Sequence, residues 1–134
     1  MRWIVFLCGV FLSISHALET KQMYLNEPIF KASVFVTTMG DETKPALVLV
    51  HGLGDEASAI WQNSLEAFVK EYFVIILDLP GFGESSKSNE LYSPENYAKS
   101  LHFIMQQILN RPFHLLGHSM GGCNCFTIRL FVST

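Results

Sequence analysis

A chain of 134 residues is enough for one modest domain and not for two. Hydrophobic residues make up 49% and charged ones 16%, which excludes a disordered chain. The net charge of −3 offers no basic surface from which to argue nucleic-acid binding.

The N-terminus stands apart. Met1 and Arg2 give a short positive start, residues 3–14 are apolar, and Ser15-His16-Ala17 places small residues at the two positions a signal peptidase reads. This is the layout of a secretory signal peptide over residues 1–17, with an exported domain, secreted or periplasmic, over residues 18–134. The apolar stretch is shorter than the roughly 20 residues of a spanning helix. An uncleaved N-terminal anchor is the alternative, and cleavage leaves no stable membrane association. Of the three cysteines, Cys8 leaves with the signal. Cys123 and Cys125 are too near each other in the chain for a comfortable mutual disulfide. The spacing of His118, Cys123 and Cys125 matches no zinc pattern, and no metal or cofactor is expected.

Next come short apolar runs separated by helical patterns. Residues 32–38 read as an antiparallel strand. Ala46–Val50, Phe73–Leu77 and residues 113–116 are continuous apolar runs bounded by Gly or Pro, the mark of strands buried on both faces of a parallel sheet. Between them, Trp61, Leu65, Phe68 and Val69 fall on one helical face, as do Tyr97, Leu101, Ile104, Met105 and Ile108. Ser93 followed by Pro94 marks the start of the second helix, over residues 93–110. Strand and helix alternating in this way predict an α/β fold with a mostly parallel sheet.

Two glycine-containing loops carry the chemistry. Gly52-x-Gly54-x-x-Ala57 follows a strand, and Asp78 ends the next one, which is the layout of a dinucleotide site. Asp55 and Glu56 argue against it, because they would repel a pyrophosphate at that helix start. That reading also leaves LLGHSMGG, residues 115–122, without a role. Gly117-His118-Ser119-Met120-Gly121 fits the G-x-S-x-G turn that presents a nucleophilic serine. Attack on a carbonyl creates an oxyanion, which needs preorganised N–H donors. In a parallel sheet both loops lie at the carboxyl ends of their strands, so the N–H groups of Leu53 and Met120 can converge there.

Taken together, VLVHGLG, LDLPGFGESS and LLGHSMGG resemble, in order and spacing, the first half of the α/β-hydrolase superfamily, over residues 24–122. The resemblance implies an incomplete α/β-hydrolase fold that ends at the helix after the nucleophile elbow. It makes Ser119 the nucleophile and Leu53 and Met120 the oxyanion donors. Gly52, Gly54, Gly117, Gly121 and Gly122 become the elbow and loop glycines. His51, His118, Asp78, Gly81, Gly83 and Ser85 shape the site, with Asp78 opening the D-x-x-G-x-G-x-S loop rather than serving as the triad acid. His102 and His114 are structural. Trp61 and Phe82 lie near enough for substrate contact, but as aromatics on a helix face and in a loop they read as core and lid packing. The implied activity is hydrolysis of a small acyl compound (ester, thioester, lactone or amide) through an acyl-Ser119 intermediate, without a cofactor.

The pattern then departs from the family. The family order is serine, acid, histidine, yet none of the 15 residues after Ser119 is Asp, Glu or His. The chain by itself is therefore expected to be a fragment and inactive. A non-catalytic exported binding module, or complementation by a second chain, is the alternative. The stretch CNCFTIRLFVST carries β-branched Thr127, Ile128 and Val132, which disfavour a helix. It is either a helix held by burial or a tail that has left the family's reading frame. Residues 113–116 are expected at an open sheet edge, which invites self-association. A monodisperse, cooperatively melting monomer would overturn that expectation.

Overall fold

The computed structural model describes residues 19–132; the proposed signal segment, residues 1–17, lies outside them. Five strands form one sheet: β1 (Thr20–Glu27), β2 (Ala32–Met39), β3 (Ala46–Val50), β4 (Phe73–Leu77) and β5 (Phe113–Gly117), in the order β1-β2-β4-β3-β5. Strands β3, β4 and β5 run parallel; β1 and β2 are antiparallel additions on the β4 side. Three helices accompany them: α1 (Leu65–Glu71), α2 (Pro94–Ile108) and α3 (Met120–Val132). This is the partial α/β-hydrolase architecture that the sequence predicts.

Strands β3 and β4 are apolar throughout because both faces are covered. Val48, Val50, Ile75 and Leu77 pack with Leu101 and Ile104 of α2 on one side. Leu47, Leu49, Val74 and Ile76 pack with Val69 of α1 on the other. Each such side chain contributes about 1.5–3 kcal/mol on burial. Parallel strands enclosed between helix layers cannot alternate, and these do not.

Strand β5 differs from that expectation. It pairs only with β3 and alternates half-buried Phe113 and Leu115 with exposed His114 and Leu116. Its second face is uncovered by the described residues, and Leu116 is 38% exposed. The edge position was legible; the one-sided burial was not.

Three further differences have local causes. Trp61 and Leu65 do not share one helix. A 3₁₀ turn at Ala57–Trp61 precedes α1, whose first residue follows Ser64, although Trp61, Leu65 and Phe68 still pack against one cluster. Strand β1 was not anticipated from the sequence. It forms a hairpin with β2 in which the buried Glu27 carboxylate accepts the N–H groups of Ile29 and Phe30, both at 2.9 Å. The stretch after the elbow is helical over Met120–Val132 despite the low helix propensity of its β-branched residues. Helix α2 starts as expected: the Ser93 hydroxyl accepts the Asn96 N–H at 3.2 Å and Pro94 occupies the first turn.

Candidate active site

The turn from β5 into α3 is unusually tight. Ser119 has φ of 55°, a left-handed conformation that costs a non-glycine residue about 1–3 kcal/mol. Neighbouring glycines make room for it. A Cβ on Gly117 would overlap the backbone of Gly121, and a Cβ on Gly121 would overlap the carbonyls of Val50 and His51. Gly122 does not share this constraint. Its Cβ would meet nothing nearer than the Gly117 carbonyl at 3.7 Å, an ordinary contact.

The β3 loop meets this turn directly. A Cβ on Gly52 would lie 2.8 Å from both Ser119 Cβ and the His118 carbonyl oxygen. The His118 N–H donates to the Val50 carbonyl at 2.9 Å and locks the two strand ends together. Within the turn, Gly121 N–H donates to His118 and Gly122 N–H to Ser119, each at 2.9 Å. Among the described residues, nothing accepts the N–H of Leu53 or Met120. Ser119 itself is exposed. An accessible hydroxyl on a strained turn thus lies against a second loop, and each loop contributes an uncommitted N–H donor. Gly54, at φ of 149°, faces open space.

His51 is fully engaged elsewhere. Its Nδ1 lies 2.7 Å from the Gly52 carbonyl, and its Nε2 accepts the Leu79 N–H at 2.9 Å. These partners define the neutral ring with its proton on Nδ1. Burial holds its pKa below the ordinary 6.5, the Gly52 hydrogen bond and the Asp78 charge opposing only in part. With both nitrogens occupied, His51 has no lone pair to offer Ser119. His118 is exposed, its ring edge-on to Trp61 at 6.4 Å between centroids. His102 lies in α2, and His114 stacks edge-on with Tyr72 at 5.8 Å.

A pH dependence follows from His51. The unfolded chain takes up this proton more readily than the folded one, so stability is full above about pH 6.5 and falls as pH drops through that value. We expect the urea midpoint of the wild type to fall between about pH 7.5 and pH 5. His51→Gln should be less stable at the upper pH and lack this part of the slope. Equal slopes in the two proteins would show that His51 is not the cause.

Asp78 sits at the end of β4 and organises the loop after it. One carboxylate oxygen accepts the Ser58 N–H at 3.0 Å, the other the Glu84 N–H at 2.9 Å. Gly83, at φ of 50°, folds so closely over the carboxylate that a Cβ there would overlap it. Ser85 donates its hydroxyl to the Asp78 carbonyl at 2.5 Å and accepts the Phe35 N–H at 2.8 Å, tying the loop to β2. Gly81, at φ of 93°, packs under the Tyr92 hydroxyl. Asp78 is thus buried under its own loop with both oxygens engaged, and is not open to a ribose. A dinucleotide is further disfavoured because the chain after Gly54 enters a short 3₁₀ turn, not a helix.

Beside the serine turn lies a cavity of about 550 Å³. Leu53 and Met120, which flank the meeting point of the two loops, form part of its wall, with Phe82, Tyr92, Tyr97 and Lys87. Phe82 is therefore a cavity residue, whereas Trp61 packs against His118 and the α1 cluster. The sequence reading missed Lys87, Tyr92 and Tyr97. The signal present was the aromatic spacing just before and within α2, but only the folded loop brings it to Phe82. Among the described residues, no group of three His, Cys, Asp or Glu side chains could hold a metal ion, and His118, Cys123 and Cys125 do not form one.

A mixed sheet whose parallel half ends in a G-x-S-x-G turn facing a glycine loop defines an α/β-hydrolase scaffold. Residues 45–129 match the alpha/beta hydrolase fold family, and the chain belongs to it. The match continues past Gly122, where an out-of-frame tail would have begun, so α3 retains the family's register to residue 129. The chain is 35% identical over 117 residues to a 2-hydroxy-6-oxononadienedioate/2-hydroxy-6-oxononatrienedioate hydrolase of Escherichia coli O81, covering 84% of this chain and 36% of that one. It is 40% identical over 79 residues to a pimeloyl-[acyl-carrier protein] methyl ester esterase of Aeromonas hydrophila, covering 58% and 29%. A bacterial membrane phospholipase A superposes with a TM-score of 0.72 at 28% identity, covering 83% of this chain and 34% of that structure. The chain thus spans about a third of the length of these hydrolases.

Proposed function

We propose that this chain carries the nucleophile half of a serine hydrolase acting on ester-type bonds of small acyl compounds: esters, thioesters, lactones or amides. Ser119 Oγ, giving up its proton, attacks the carbonyl carbon; the bond to the alcohol, thiol or amine breaks, that group leaves carrying the proton, and water then cleaves the acyl-Ser119 intermediate to release the acid and restore the serine hydroxyl. The N–H groups of Leu53 and Met120 receive the negative charge that develops on the carbonyl oxygen. Such fixed donors are worth about 3–4 kcal/mol each in acyl transfer. The observation that carries this reading is Ser119 at φ of 55°, exposed and in contact with the Gly52 loop. A strained backbone at an accessible hydroxyl is maintained against its own cost.

Residues 1–134 taken by themselves are expected to turn over slowly. The sequence holds no Asp, Glu or His after Ser119, and His51 has both ring nitrogens occupied. A serine without its base retains only the part of the rate enhancement due to the oxyanion site and binding. A fluorophosphonate probe tests the site, because it is attacked by the same hydroxyl beside the same oxyanion donors, slowly where the serine has no base to activate it. Slow labelling of the wild type, abolished in Ser119→Ala, is the expected result. Labelling that persists in Ser119→Ala, or a wild type indistinguishable from heat-denatured protein, would remove Ser119 from this role.

A further inference from the structure

We infer that the cavity beside Ser119 selects acyl compounds with an apolar body ending in an anionic group, and that Lys87 recognises that group. This deepens the proposed function and rests on it only in taking the cavity as the substrate's. Five of the six lysines have partners in the described structure: Lys21 with Glu19 and Glu42, Lys31 with Glu90, Lys70 with Glu66, Lys99 with Glu95, and Lys44 with the carbonyls of Val69 and Lys70. Lys87 has none among the described residues, yet it lies on the wall of the roughly 550 Å³ cavity.

The surroundings sharpen this. Among the described residues, no Asp or Glu lines the cavity. Glu90, on the same loop, is held at 2.7 Å by Lys31 and so does not neutralise Lys87. The loop is also anchored. Tyr92 Oη accepts the Ser88 N–H at 2.8 Å and lies 3.0 Å from the Ser88 carbonyl, and the Ser88 hydroxyl donates to the Phe30 carbonyl at 2.6 Å. On the other side of Lys87, the Ser86 hydroxyl accepts the Ser33 N–H at 2.8 Å, so the loop is fixed on both sides while the Lys87 ammonium is uncommitted among the described residues. The wall also carries the apolar side chains of Leu53, Phe82 and Met120. A volume of this size accommodates a small ligand. An apolar wall with a single unopposed cation favours a ligand that is greasy along its length and negative at one end. Lysine meets such a group as a point charge, without demanding planar geometry.

The test is binding, read on the chain itself and independent of turnover. 4-Phenylbutanoate and its neutral isostere 4-phenylbutanamide are titrated by NMR, following the Met120 methyl group. The carboxylate should bind about two- to fivefold more tightly, as befits one exposed charge pair. The preference should shrink as salt rises from about 50 to about 500 mM, and disappear in Lys87→Met while Lys70→Met leaves it intact. Equal affinity for the two compounds, a preference that survives in Lys87→Met, or no binding of either compound would overturn the inference. Failure of the two readings is separable. Lost labelling of Ser119 with a retained carboxylate preference removes the acyl-enzyme alone; retained labelling without the preference removes this inference alone.

Discussion

Gly121→Ala should cost at least about 3 kcal/mol of stability, more than ordinary overpacking, because the obstacle is backbone. The added methyl group would overlap the carbonyls of Val50 and His51 at the end of β3. Those atoms are held by the sheet: Val50 pairs with Leu77 on one side and Gly117 on the other, and its carbonyl also accepts the His118 N–H. Neither α3 nor β3 can yield without breaking that register. Gly122→Ala is the matched control. Its neighbour is next in the chain, on the same helix, yet the new Cβ meets only ordinary contact at 3.7 Å. In a helix, Ala is favoured over Gly by up to about 1 kcal/mol, so this variant should be neutral or slightly more stable. Urea unfolding of the two proteins decides. Similar losses in both would mean that the approach of α3 to β3 is not the constraint. Fluorophosphonate labelling should follow the same division, lost in Gly121→Ala and kept in Gly122→Ala.

The second large effect is expected at Asp78. Replacing it by Ala leaves the Ser58 and Glu84 N–H groups without their acceptor, at a cost of about 2–4 kcal/mol for the pair. The damage should spread along the loop. Leu79, the next residue, donates to His51 Nε2, and Phe82 lines the cavity. Hydrogen exchange of the Glu84 and Leu79 amides should therefore accelerate even under conditions where β3 and β4 stay protected. Asp55→Ala, at an exposed carboxylate one loop away, should change stability by less than about 0.5 kcal/mol. If Asp78→Ala is no worse than Asp55→Ala, the carboxylate is not what holds the loop.

Much of the fold was legible because period and punctuation agree in this chain. Ala46–Val50 and Phe73–Leu77 are unbroken apolar runs ended by His-Gly and Asp-Leu-Pro-Gly, and such runs have few alternatives in an α/β pattern. Ser93-Pro94 marked the start of α2 to the residue. Strand β1 escaped because TKQMYLNE is mostly exposed, with Met23 and Leu25 partly buried against the core and the buried residue at its end the polar Glu27. Such a hairpin strand depends on its partner, not on its own hydrophobicity. The break between the Ala57–Trp61 turn and α1 escaped for a related reason. The apolar spacing is right for one face, but Ala57 at φ of 45° cannot begin a regular helix there.

Within the site, the residue types that could do chemistry were set by the sequence alone. G-x-S-x-G after an apolar run, a glycine loop after an earlier one, and Asp-x-x-Gly-x-Gly-x-Ser between them admit few other arrangements, since each glycine marks a turn at a strand end. Other features depended on distance in three dimensions. Gly121 and Gly122 are indistinguishable in a motif; only the carbonyls of β3, some seventy residues earlier in the chain, make one indispensable and the other free. His51 looks like a base beside a serine until Leu79 N–H is seen on its Nε2. Lys87 is one lysine among six until the other five are found paired. A sequence specifies periodicity and chemical type locally, whereas steric exclusion and hydrogen-bond saturation arise between segments distant in the chain, and those are decided only when the sheet brings the segments together.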